Sequence, residues 1–224
     1  PYQNSWGLST RLIGGLVMGH GDDKGLVLPP KLAPIQAIII PIWTNNKERV
    51  KIKQYISKIE KVLLDKNISF ETDWRRQTPG WKFNDWEFRG VPLRLEIGPK
   101  EVREIKITFV LRSNLKKEII SLKDFEKQVQ KILDGFQKRL LEISKKFTLD
   151  NTYGVGSFSE FKEIIEKRGG FIRASWCGSN KCEKQIQEET KATIRCMLNE
   201  KNKSGKCIRC GKKAKFEVLF AKAY

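Results

Sequence analysis

The sequence has no long hydrophobic run. Its most apolar stretch, Ile35–Trp43, is interrupted by Gln36 and Pro41 and reaches less than half of the roughly 20 residues that a membrane-spanning helix needs. No basic segment followed by an apolar one opens the chain, so secretion and membrane insertion are both disfavoured. Histidine is nearly absent: His20 is the single one, set in a glycine turn, which leaves little for histidine-based proton transfer. No internal repeat of fixed period is present. With 224 residues, 39% hydrophobic and 31% charged, the chain is neither disordered nor collagenous and can bury one large core or two small ones.

Acidic residues are also scarce relative to basic ones. Lys and Arg number 44 against 26 Asp and Glu, a formal charge of +18. Such an excess attracts polyanions, of which nucleic acid is the commonest. Residues 1–33 carry a net +1, residues 34–150 a net +9 and residues 151–224 a net +8. Whatever the first segment does, polyanion attraction belongs to the other two.

The pattern divides the same way. Residues 1–33 are glycine-rich, close on Pro29-Pro30 and read as turns around a short strand-like run, Leu12–Met18. Residues 34–150 alternate: strands over Gln36–Ile42, Ile68–Trp74, Leu93–Ile97 and Ile105–Leu111, a helix marked by Ile52, Ile56, Ile59 and Leu63, and a second over about 122–147 with Phe125, Val129, Ile132, Phe136 and Leu140 on its stripe. Strands interleaved with helices imply an α/β domain with a mixed sheet. Asn151–Ser157 reads as a joint to a last segment. There Ser157 caps a short helix carrying Phe158, Phe161 and Ile165, strands are expected over Phe171–Trp176 and Phe216–Phe220, and 199–206 is a loop.

Three groups of residues carry chemistry. Cys177/Cys182 and Cys207/Cys210 form two close thiol pairs; without a secretory signal these are metal ligands before they are disulfides. Four thiolates suit tetrahedral zinc in a structural role, because no open position is left. The nearby lysines and Arg209 would offset the negative site. The fifth, Cys196, reads as a buried thiol. In Thr78–Lys100 the aromatics Trp81, Phe83, Trp86 and Phe88 interleave with Lys82, Glu87, Arg89 and Arg94, which is what readout of single-stranded RNA requires; the competing reading is a helix with its aromatics in the core. Finally, Arg11 stands alone among small residues in Gln3–Arg11, where its planar fork could clamp a phosphate.

Taken in order, SWGLSTR, GHGDDKGLVLPP, TPGWKFNDWEFRGVPLRLEIGPK, the paired cysteines and the terminal FAKAY resemble the C-terminal portion of the prolyl-tRNA synthetases. The likeness is to the archaeal and eukaryotic cytoplasmic type, which carries an extra C-terminal domain. It implies the end of a class II catalytic sheet over 1–33, a mixed-sheet α/β anticodon-binding domain over 34–150 and a small α/β zinc-type domain over 151–224. Implied with it are a cytoplasmic proline–tRNA ligase and a homodimer of the full-length enzyme. Its partners would be tRNA(Pro), proline, and ATP with magnesium. By the same resemblance Ser9 and Arg11 contact ATP, Ser5 and Gly7 line the proline side, and Phe83, Glu87, Arg94 and Lys100 contact the anticodon. Every proline anticodon ends in two guanines, so Arg94 would donate to O6 and N7 and Glu87 accept from N1–H and N2–H. Tyr224 would bring its carboxylate towards the active site.

Two stretches depart from the family pattern: Asp73-Trp-Arg-Arg-Gln77 is short and basic, and Leu111-Arg112-Ser113 replaces an Arg-Arg-Asp turn. The first two class II motifs are absent from these residues, so the chain is not expected to activate proline alone. The alternatives are a stand-alone RNA-binding module and a zinc-stabilised interaction protein.

Overall fold

The computed structural model of the chain describes residues 3–198 and 205–222. Two compact units divide inside a long helix, Pro1–Glu142 and Ile143–Tyr224.

The first unit is built on a five-stranded sheet of order β2-β1-β3-β4-β5. β1 (Ala37–Pro41) is followed by helix α2 (Asn46–Asp65) and returns as β2 (Phe70–Thr72), parallel to it. The chain then crosses β1 through helix α3 (Pro79–Phe88) and comes back as β3 (Leu93–Ile97), parallel on its other side. Helix α4 (Pro99–Glu104), β4 (Lys106–Leu111) and β5 (Lys117–Ser121) complete the sheet in antiparallel fashion, before helix α5 (Leu122–Asp150). The run Ala37-Ile-Ile-Ile40 makes β1 central, because strands with parallel neighbours on both sides are covered on both faces. Side chains alternate between faces. Ala37, Ile39, Leu93, Leu95, Ile97, Ile107 and Phe109 pack against α2 and α5, whereas Ile38 and Ile40 pack with Trp86 of α3 and with Val91. Arg94 and Glu96 therefore fall on the α3 face of β3. Asn45 fixes the start of α2 by accepting from the Glu48 amide at 2.9 Å, and the Glu48 carboxylate accepts in return from the Thr44 amide and hydroxyl. Thr78 caps α3, and Pro79 at its first position has no amide to leave unpaired.

The first segment differs from expectation. Leu12–Met18 lies in helix α1 (Arg11–His20), because Leu12/Leu16 and Ile13/Val17 repeat at four residues rather than two. Among the described residues no strand of either sheet precedes β1, so the expected end of a catalytic sheet is a helix here. Asp22–Leu28 is then tied down. The Leu26 and Leu28 amides donate to the carbonyls of Phe88 and Gly90 at 3.0 and 3.1 Å. Gly90 has φ +76, and a Cβ there would lie 2.7 Å from the Leu26 carbonyl carbon.

The second unit has a four-stranded sheet of order β6-β7-β9-β8, comprising β6 (Thr152–Gly154), β7 (Phe171–Trp176), β8 (Ala192–Met197) and β9 (Phe216–Lys222). β6 and β7 are parallel; β9 is antiparallel to both β7 and β8. Helices α6 (Phe158–Lys167) and α7 (Asn180–Thr190) cover it through Phe161, Ile165 and Ile186, which meet Ile172, Val218 and Phe220. Ser157 caps α6, accepting from the Glu160 amide at 3.2 Å. Within Asn151–Ser157, expected as a joint, Thr152–Gly154 form β6 and pair with β7. Two expectations are corrected. On α5 the buried residue is Leu133 and Ile132 is half-buried, because a stripe that follows 3.6 residues per turn passes through Val129, Leu133 and Phe136. Cys196 is exposed: a register shift between Ile194 and Cys196 turns it outward.

Candidate functional site

Phe83 and Glu87 lie one turn apart on α3, and Arg94 faces them from β3. The Arg94 guanidinium lies 4.3 Å from the centre of the Phe83 ring, donates from Nη1 to Glu87 Oε1 and from Nε to Glu96 Oε1 at 3.1 Å. Nη2 is also 3.1 Å from Glu96 Oε1, and Lys117 of β5 reaches Glu96 Oε2 at 2.6 Å. Arg94 is 8% exposed. A buried cation needs paired carboxylates to offset lost hydration, and two are supplied. Of its five N–H groups, two are hydrogen-bonded, leaving one on Nη1 and two on Nη2. The structure brings these three of the expected residues together. The fourth, Lys100, is exposed on α4 and, among the described residues, has no hydrogen bond or ion pair with them. Phe83 also departs from a bare stacking platform, since one neighbour of its ring is Arg94 itself and Lys117 lies 5.5 Å away. Glu96 and Lys117 were not singled out from the sequence; the Arg-x-Glu alternation on one strand face was the signal for Glu96.

The helix that carries Phe83 and Glu87 is held from behind by Asp73. Its carboxylate accepts from Trp86 Nε1 at 2.8 Å and from Arg75 Nη2 and Nε at 2.7 and 3.0 Å. Buried Lys82 donates to the Asp73 carbonyl at 2.8 Å. Burial pushes the Asp73 carboxyl up, but hydrogen bonds from Arg75 and Trp86 outweigh it and hold it at about 2. Burial likewise drives the Lys82 ammonium down, partly opposed by Asp73. Trp86 is thus a core residue, while Trp81 is 45% exposed beneath Arg75.

On the other side, Arg112 is buried, donates to the Glu87 carbonyl at 2.9 Å and grips Asp22 with Nη1 at 2.8 Å. The hydrogen bond from Arg112 is the main reason the Asp22 carboxyl stands at about 2. The Leu111-Arg112-Ser113 departure is therefore a structural clasp between the first segment and α3.

In the second unit, Cys177 follows β7, Cys182 is on α7, and Cys207 and Cys210 flank the turn before β9. The four Sγ atoms lie within 4.8 Å of one another, with Cys177–Cys182 at 3.6 Å and Cys177–Cys210 at 3.9 Å. Ligands about 2.3 Å from a tetrahedral ion are about 3.8 Å apart, so the donor set fits zinc. Gly178 and Gly211 take φ +84 and +68, letting the chain turn back after Cys177 and after Cys210 so that the Ser179 and Lys212 amides point at those two thiols. The Lys212 amide is the main reason Cys210 falls to about 7, whereas burial, then Cys177 and Cys210, push Cys182 up to about 12. A divalent cation would reverse that last effect and hold all four as thiolates. Arg209 is committed elsewhere, to Glu189, with Gln185 at 3.5 Å.

Ser5, Gly7, Ser9 and Arg11 are all exposed, as are Leu8, Leu12 and Met18. Arg11 opens α1, and the Leu12 amide donates to the Ser9 carbonyl at 3.1 Å. No cleft gathers these four among the described residues. Tyr224 lies outside the described residues.

The family model of the anticodon binding domain matches residues 36–132, and that of the prolyl-tRNA synthetase C-terminal domain matches residues 158–224. The chain belongs to the prolyl-tRNA synthetase family, in its C-terminal portion. Among curated relatives, a proline–tRNA ligase of Alkaliphilus oremlandii is 44% identical over 225 residues, and a proline–tRNA ligase 2 of Clostridioides difficile 42% over 226. Both alignments take in 100% of this chain and 46% of the relative, so the chain spans about half the length of these ligases. A solved prolyl-tRNA synthetase of Cryptosporidium parvum, complexed with L-proline and AMP, is 36% identical with a TM-score of 0.89, over 96% of this chain and 46% of that one. Within the synthetase frame, Phe83, Glu87, Arg94 and Lys100 fall inside the anticodon-domain match, and the four cysteines inside the C-terminal match. Residues 1–35 lie outside both.

Proposed function

We propose that this chain is the tRNA-reading part of a cytoplasmic proline–tRNA ligase, and that its α3–β3 cluster reads the two guanines shared by proline anticodons. The observation that carries this is Arg94, buried between two carboxylates with N–H groups left on both terminal nitrogens. Two parallel donors match guanine O6 and N7, and Glu87 keeps Oε2 for N1–H or N2–H. Lys100, at the start of α4, supplies a further donor to base or backbone once RNA is bound. In this reading the anticodon domain covers 34–150 and the zinc-type domain 151–224. Cys177, Cys182, Cys207 and Cys210 hold zinc, whose role is structural because four thiolates leave no open position.

Residues 1–33 are read as the end of a catalytic domain. Ser9 and Arg11 contribute to an ATP–magnesium site, and Ser5 and Gly7 to the proline side, once the rest of that domain covers the apolar residues of α1. The whole enzyme would be a homodimer. The test is binding to anticodon stem-loops at two salt concentrations, one with the two guanines and one with both replaced. A preference for the guanine form that persists at higher salt is expected. Equal binding that fades with salt would reduce the chain to a basic surface, since phosphate attraction is what salt screens.

A further inference from the structure

The chain leaves β1 for β2 on one side and reaches β3 on the other, so the carboxyl end of β1 is a switch point in the sheet. Crevices at such points are where open α/β sheets bind ligands. Here the crevice is real, with a volume of about 370 Å³, and is bounded by the end of β1, the first turns of α2 and α3 and the segment after β2. Four cationic side chains line it, Arg49, Arg75, Arg76 and Lys82, and no carboxylate does. Arg75 is spent on Asp73 and Asp85. Arg49 and Arg76 have no ion pair among the described residues. Lys82 is 2% exposed, donates to the Asp73 carbonyl and lies 3.8 Å from the Asp73 carboxylate, so two of its three N–H groups remain without a hydrogen bond.

The wall is aromatic as well as basic. Trp43 and Trp74 are half-buried with ring centres 5.6 Å apart, and the Arg49 guanidinium lies 5.6 and 6.0 Å from them. Indole faces beside guanidinium groups, with no carboxylate in the lining, match a nucleotide: the base against a ring, the phosphate on the cations. Trp74–Gln77, from the basic stretch that the guanine cluster does not contact, forms one side of it.

We propose that this crevice binds a further nucleotide of the single-stranded loop, outside the two guanines, with its phosphate on Arg49, Arg76 and Lys82 and its base on the Trp43–Trp74 pair. The identity of the strand rests on the anticodon reading above; the nucleotide chemistry of the crevice does not. Contacts to phosphate and to a ring face carry little base preference, so this site adds affinity where Arg94 adds discrimination.

The experiment measures binding of the full chain and of Arg49→Gln/Arg76→Gln to both stem-loops across a salt series. Both side chains are exposed, so folding should be preserved. Two lost phosphate contacts should make the slope of log K against log salt shallower by about 1.4 and weaken binding roughly ten- to thirtyfold at 0.1 M salt, equally for both RNAs. Lys58→Gln/Lys61→Gln removes the same charge further along α2 and should change neither. RNA should quench indole fluorescence in the native chain and far less in Trp43→Phe/Trp74→Phe with its altered ring pair. An unchanged slope in the arginine variant, or the same loss in the lysine control, would overturn the proposal while leaving guanine preference intact. Loss of guanine preference in the native chain, with the arginine effect retained, would instead sink the anticodon reading and keep the crevice. Saturation of the quench by AMP, with no effect of either arginine on RNA, would assign the crevice to a free mononucleotide and overturn the loop assignment.

Discussion

Arg94→Lys isolates the geometry of guanine reading from charge. Lysine keeps a cation between Glu87 and Glu96 but offers a point charge on a flexible stem instead of a planar fork. The fork matters because Glu87 and Glu96 already take the Nε and one Nη1 N–H group, and donors remain on both terminal nitrogens of one plane. Losing a bidentate pair to O6 and N7 should cost about 1–3 kcal/mol of discrimination, or roughly 5- to 150-fold in relative affinity. Alanine is the poorer probe, since it strands two carboxylates and should cost about 3–5 kcal/mol of stability through the unpaired charges alone. The assay is fluorescence anisotropy with three stem-loops: both guanines, both replaced by adenine, and both replaced by 7-deazaguanine, which lacks only the N7 acceptor. The native chain should lose affinity on 7-deazaguanine, and Arg94→Lys should lose nothing further. An equal 7-deazaguanine penalty in the two proteins would show that Arg94 does not touch N7, and the assigned contact would be wrong.

Cys207→Ser should lower the melting temperature and abolish any further drop on chelation, because metal binding and folding are linked; a native chain that holds no metal and ignores chelators would refute the zinc assignment. Asp73 is almost fully buried and its carboxyl is held at about 2 against an ordinary 3.8. Its contribution, about 2 kcal/mol, is whole above pH 3.8 and fades as pH falls towards 2. Asp73→Asn should therefore flatten the acid limb of stability measured by urea unfolding between pH 2 and 6, and an unchanged limb would assign the acid sensitivity elsewhere. Gly90→Ala places a side chain at φ +76 against Leu26 and should cost about 1–3 kcal/mol in the same assay; a neutral result would mean that the Leu26–Gly90 contact is not held in solution.

Legibility in the sequence followed how local each cause is. β3 and β7 were readable to the residue, because β-branched and apolar runs bounded by turns mark their own ends. β5, with Lys117, Glu118 and the exposed Ile119, has no such mark: its strand state comes from pairing with β4, a non-local cause. β8 hides its pattern behind a bulge at Ile194/Cys196. Helix α1 does not announce itself because three glycines break its propensity, while the spacing of Leu12, Ile13, Leu16 and Val17 carries the helical period underneath. The same division holds in the sites. Paired cysteines announce themselves by spacing, and Phe83, Glu87 and Arg94 by residue type. Arg112 reaches back across 90 residues to Asp22, and no sequence period encodes that clasp.

The guanine cluster is close to electrically balanced: Arg94 and Lys117 face Glu87 and Glu96. If the proposed reading holds, a chain of net +18 places its base-reading groups in a neutral patch. That separation has a purpose in physical terms. A free buried guanidinium would bind any phosphate of a flexible loop, and its attraction would swamp the 1–3 kcal/mol that distinguishes guanine. Clamped by two carboxylates and laid on Phe83, Arg94 has lost its long-range field and kept directed N–H groups. Bulk attraction falls instead to cations elsewhere, such as Arg49 and Arg76, which salt screens. Raising salt should then weaken affinity for both stem-loops in parallel while the ratio between them stays constant. A ratio that collapsed with salt would mean that Arg94 acts as a charge after all.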